Sequence, residues 1–119
     1  NIFILINNMD KLNSQNFAEL SIAARAIRED MDKNRVPPDV IGKKYKRIAD
    51  TYPTYFDMIL KDPNCGDVLT VMANLVYKRE QGEITKERAD VELGEFMAQK
   101  YIPQYRDHLK RGQDRLARG

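Results

Sequence analysis

The sequence predicts an all-α fold: a single compact bundle of about five helices followed by a basic C-terminal tail. Two observations carry this expectation. Apolar residues recur three and four positions apart through most of the 119-residue chain, the spacing that lines one side of an α-helix. The stretches with this period are separated by short segments rich in proline, glycine and asparagine, and short connections favour antiparallel neighbours in one bundle. Composition agrees. With 42% hydrophobic and 32% charged residues, the chain suits helices that each bury one stripe and solvate the other. Its length is that of one domain with one modest core.

The first helix is expected over residues 14–33, capped by Asn13 or Ser14. Phe17, Leu20, Ala24, Ile27 and Met31 form its apolar face, and Arg25, Arg28, Glu29 and Asp32 fall largely elsewhere. The segment Asn34-Arg-Val-Pro-Pro38 ends it, because proline lacks an N–H and pushes the residue before it to extended backbone. A second helix opens at Pro38 or Asp39 and closes near Thr51, with Val40, Ile41, Tyr45, Ile48 and Ala49 inward. Tyr52-Pro53 begins a short third helix over residues 53–60, with proline in its first turn. Its anchors are Tyr55, Phe56, Ile59 and Leu60.

Residues 61–66 read as a turn. The fourth helix is expected over residues 67–81 on a stripe of Val68, Leu69, Met72, Leu75, Val76 and Arg79, with Gly82 at the left-handed position after its end. Thr85 caps the fifth helix, and Ile84 and Ala89 stand where a weak hydrophobic staple would close. Ala89, Leu93, Phe96, Met97 and Tyr101 line this helix, and Pro103 ends it. Residues 104–119 read as a marginal helix fraying into a basic tail. Residues 9–103 are thus one helical domain, in which a hairpin over 9–51 precedes a unit over 52–103. The apolar segment over residues 1–8 is too short for a signal sequence. It reads as a short strand, as the frayed end of something truncated, or as translated AT-rich upstream DNA, in which case Met9 is the expected native start.

Net charge is only +2, and it is unevenly placed: residues 104–119 hold five basic side chains against two acidic, leaving the rest close to neutral. A dedicated nucleic-acid binder shows a stronger bias, with a pI above about 9. The single cysteine, Cys65, rules out an intramolecular disulfide and fits a reducing compartment. No apolar run approaches the ~18–20 residues of a membrane span. A cytoplasmic protein, not a secreted one, is expected.

The residues that carry chemistry elsewhere do not assemble a motif here. Asp62-Pro-Asn-Cys-Gly-Asp67 begins like a calcium loop, but the position of the bidentate glutamate is Ala73. A turn in which Asn64 or Asp67 caps the next helix is the better reading. Cys65 as a nucleophile needs a base, and the only histidine, His108, lies in the polar tail. His108 cannot build a zinc site alone. Glu83, Glu87, Asp90, Glu92 and Glu95 gather around the fifth helix as dipole partners and a solvated face. There is no glycine-rich phosphate loop. No enzyme, metal or cofactor is expected.

Surfaces are more informative. Lys43, Lys44, Lys46 and Arg47 form the sharpest positive cluster, and Lys43, Lys46 and Arg47 share a helix face able to meet phosphates or an acidic protein. Tyr45 belongs to the apolar stripe instead. Gly94 and Ala98 leave one side of the fifth helix thin, so that another helix can approach. Arg106, Lys110 and Arg111 in the tail are suited to an acidic partner.

Residues 71–103 resemble a pattern in small helical, virion-associated, minor capsid-like proteins of large nucleocytoplasmic DNA viruses. The shared elements are an apolar helix, Gly82-Glu83, a helix carrying Ala89 and Gly94, and then Tyr101 and Pro103. Tyr52-Pro53 and Phe56-Asp57-Met58 upstream extend the likeness to the second half of the chain. The resemblance implies a structural virion component that cements capsid proteins, located in the particle. It supplies no catalytic residue, and the first hairpin has no counterpart in it. The function expected is therefore structural, by helix-face docking to protein partners. The alternatives are a nucleic-acid-binding accessory protein using the basic face, and a cytosolic adaptor.

Overall fold

The structure, a computed structural model, describes residues 9–101. Of these, 78% are helical, in six helices with no strand among the described residues. The helices are α1 (Ser14–Asp32), α2 (Pro38–Lys44), α3 (Lys46–Thr51), α4 (Pro53–Lys61), α5 (Cys65–Glu80) and α6 (Lys86–Tyr101). The expected all-α bundle is what forms. Residues 1–8, the expected helix end at Pro103 and the tail from residue 104 lie outside the described residues.

Asn13, not Ser14, caps α1. Its side chain accepts the Asn16 N–H at 2.8 Å, and the Asn16 side chain accepts the Asn13 N–H at 3.1 Å, so two of the N–H groups left over at a helix start are satisfied reciprocally. Ser14 is held from elsewhere: its N–H donates to the Glu80 carboxylate at 3.0 Å, and its hydroxyl does the same. The Ser14 hydroxyl and then its N–H lower the Glu80 pKa. The ionised carboxylate also sits at the positive end of the α1 dipole.

The second helix departs from expectation. Residues 38–51 form two helices, because the backbone leaves helical geometry at Tyr45, with φ −109° and ψ 36°. Little hydrogen bonding is lost there. The Tyr45 N–H still reaches the Ile41 carbonyl and the Ala49 N–H reaches the Tyr45 carbonyl, each at 2.9 Å. In return the Tyr45 hydroxyl and the Lys44 ammonium both donate to Asp30, at 2.6 and 2.8 Å, while Ile41 and Ile48 both enter the core.

Helix α5 starts at Cys65, two residues before the expected position. The Asp62 carboxylate accepts the Asn64 N–H at 2.8 Å and turns the chain early. Asn64 itself makes no side-chain cap, and Asp67 sits inside the first turn. At the other end Gly82 takes φ 74°, the left-handed conformation that glycine adopts without penalty. Thr85 caps α6 as expected, accepting the Arg88 N–H at 3.1 Å.

Helices α1 and α5 lie antiparallel and form the centre. Ser14 meets Glu80 at one end, and Arg25 donates to Thr70 at the other. Phe17, Leu20, Ala24 and Ile27 from α1 and Cys65, Val68, Leu69 and Met72 from α5 are essentially inaccessible. The Phe17 ring meets Tyr55 of α4 edge to face, with centroids 5.9 Å apart, an arrangement favoured by the ring quadrupoles. Met9 is fully buried and fixes the chain ahead of α1. The α1 helix packs far more on α5 than on α2, so the hairpin read over residues 9–51 is not a separate unit. Helix α6 covers α5 through Ala89, Leu93 and Met97.

Candidate functional site

The basic cluster is exposed but mostly neutralised. Lys44 bonds Asp30, Lys46 bonds Asp50 at 2.7 Å, and Arg47 pairs with Glu19. Only Lys43 lacks a carboxylate partner among the described residues. Asp30 is the organising group. It is 7% exposed and accepts from Lys44, Tyr45 and Asn34. These bonds, led by the Lys44 ammonium, outweigh the effect of burial and hold its carboxyl at about 2. The Tyr45 hydroxyl is therefore engaged in a structural bond, which leaves its ring half-buried and not free to stack on a base.

Gly94 and Ala98 are both half-buried, one turn apart on the strip of α6 that begins at Asp90. Arg106, Lys110, Arg111 and His108 lie outside the described residues. Cys65, expected as a turn residue or half-buried filler, is fully buried in the first turn of α5. Burial pushes its thiol up to about 12. A thiol in that environment is a packing group, since the thiolate is the nucleophilic form.

The described residues do present one surface that the sequence reading missed. Ile22 is 68% exposed on α1 and Tyr77 is 53% exposed on α5. Tyr77 lines a cleft of about 520 Å³ with Gln15, Ala18, Ala73 and Asn74 among others, and Ile22 stands one helical turn beyond Ala18. Glu80, bonded to Ser14, marks one polar end of this cleft; further along the same two helices the Arg25 guanidinium donates to the Thr70 hydroxyl at 3.3 Å. The signal for it was legible: Ile22 and Tyr77 are the large apolar residues of their helices that fall off the apolar stripe. Arg28 was also misplaced by the periodicity. It is drawn inward to donate to the carbonyls of Ile59 and Leu60, closing the C-terminal end of α4.

No helix among the described residues is long and apolar enough to cross a membrane, and no group of acidic, histidine or cysteine side chains among them converges as a metal site would. No family model matches the chain, and no curated protein or solved structure matches it.

Proposed function

We propose that this protein is a structural interaction protein that works by docking helix faces onto protein partners and carries out no catalytic step. The observation that supports this reading is the α1–α5 cleft lined by Ala18, Ala73 and Tyr77, with the exposed Ile22 one helical turn beyond Ala18. Large apolar side chains grouped on a surface are the usual mark of an interaction site, and small residues beside them let another backbone come close. The setting implied by the resemblance of residues 71–103 is the particle of a large DNA virus, with this chain as a minor capsid component and capsid proteins as its partners. The nucleic-acid alternative has less support, because Lys44, Lys46 and Arg47 already face carboxylates.

Mass spectrometry of purified particles from the source tests the setting. Many copies in fixed ratio to the major capsid protein are expected, and absence from particles overturns it. Ile22→Glu tests the docking face. The variant is expected to fold normally, because the site is exposed, and to lose incorporation. Unchanged incorporation would remove the face from the mechanism.

A further inference from the structure

We infer that the last turn of α6 is a latch across the α4–α5 turn, and that its release uncovers Cys65 while the rest of the bundle stays folded.

The way α6 is held changes along its length. Ala89 and Leu93 are fully buried, and Met97 nearly so. Beyond Met97 no side chain up to Tyr101 enters the core: Ala98 and Lys100 are half-buried, and Gln99 and Tyr101 are exposed. Among the described residues, two side-chain bonds hold this turn down. The Lys100 ammonium donates to the Asp67 carboxylate at 2.8 Å, and the Tyr101 hydroxyl donates to the Asp62 carboxylate. The other end of α6 is anchored more firmly. Thr85 caps it, Lys86 lies between Asp10 and Asp90, and Ile84 and Ala89 pack into the core on either side of the cap.

The two carboxylates gripped by the latch stand on either side of Cys65 in the chain. The Cys65 N–H donates to the Asp62 carbonyl at 3.2 Å, so the residue held by Tyr101 is also the one that starts Cys65 on its helix. The Tyr101 phenol spans from α6 to this turn. Its pKa is raised by burial first, then by the bond to Asp62, and also by the nearness of Cys65. Cys65 itself is fully buried. Because the thiolate is the reactive form and burial holds this thiol at about 12, a reagent reaches it only when the turn above it has opened. Surface side-chain bonds of this kind shift an equilibrium by about two- to tenfold each. Together they hold the last turn far more weakly than the core holds the bundle, so the turn opens on its own.

Alkylation of the full chain by N-ethylmaleimide at neutral pH reads the opening, since Cys65 is the single cysteine. Slow labelling is expected, nearly insensitive to low concentrations of urea, because a local opening exposes little surface. Tyr101→Phe keeps the ring and loses the bond, and is expected to speed labelling about two- to tenfold. Lys100→Met should act by a similar factor, and the melting temperature should stay the same in both. Lys86→Met, at the other end of α6, should leave the labelling rate unchanged. Labelling that rises steeply with urea, in step with global unfolding, overturns the inference. So does a rate indifferent to both Tyr101→Phe and Lys100→Met. Equal acceleration by Lys86→Met would show that α6 leaves as one piece, which also removes the latch.

Discussion

On one side α5 meets α1, and on the other it meets α6, and the two contacts are held by different forces. Helix α1 brings Phe17, Leu20, Ala24 and Ile27 into the core, all fully buried, and shares it with Tyr55 and Ile59 of α4. Helix α6 brings only Ala89, Leu93 and Met97. Its ends are fastened by charge: Lys86 lies between Asp10 and Asp90, Arg79 also holds Asp10, and Lys100 holds Asp67. Tyr101 donates to Asp62 at the far end. Apolar burial carries no charge to titrate or screen, whereas exposed and half-exposed ion pairs are screened and titrated. The α6 side is therefore the part of the molecule that conditions loosen first.

The largest effect expected on this contrast is from core truncation. Phe17→Ala removes the ring packed on Tyr55 and should cost about 3–5 kcal/mol, lowering the global stability of the molecule. Leu93→Ala should cost less, about 2–4 kcal/mol, and should act on α6 more than on the centre. Denaturant melts give the totals, and hydrogen exchange shows which helix opens. Equal exposure of α1 and α6 amides in Leu93→Ala would break the distinction.

Acid should separate the two sides next. Burial raises the Asp10 pKa, but the hydrogen bonds from Arg79 and Lys86 outweigh it and leave it below the usual carboxylate value. The Lys100 bond lowers that of Asp67. A carboxyl depressed on folding adds stability that is full above its unfolded pKa of about 3.9 and lost as pH falls through the folded value. Below about pH 4, α6 amides should lose protection before those of α1 and α5. The Asp30 contribution should be lost over the wider interval from about pH 4 down to about 2, where its own carboxyl titrates.

Tyr55 supplies a smaller test within the centre. Its hydroxyl is buried with no hydrogen-bond partner among the described residues, and burial raises its pKa. Tyr55→Phe removes an unsatisfied polar group and keeps the edge-to-face ring, so it should stabilise the fold by about 1 kcal/mol. A loss of stability would show that the hydroxyl has a partner. Smallest of all is Lys46→Ala, which removes an exposed pair with Asp50 and should leave the melting temperature unchanged.

Much of this architecture was readable before any coordinates. The stripes of α1, α4, α5 and α6, the Thr85 cap and the left-handed Gly82 follow from local rules, since periodicity, capping and proline geometry each act within a few residues. What those rules did not reach was the role of polar side chains in long-range bonds. Asp30 and Arg28 have ordinary helical positions, yet one gathers Lys44, Tyr45 and Asn34 while the other closes α4. The break at Tyr45 has the same origin. A proline or glycine would have announced a break, and here none is needed. For the proposed docking face the sequence held half of the signal. Ile22 and Tyr77 lie off their stripes, but nothing local says that Tyr77 lines a cleft shared with Ala18, one turn before Ile22.

By itself, then, the sequence determined the helical class, the principal apolar faces and the points where the chain must turn, because each depends on the order of neighbouring residues. Tertiary structure alone decided which helices became partners, which of the clustered cations were left without a carboxylate, and that Ala18, Ala73 and Tyr77 line one cleft. The reason is distance: Ala18 and Ala73 are 55 positions apart in the chain, and only the antiparallel packing of α1 on α5 brings them to the same cleft.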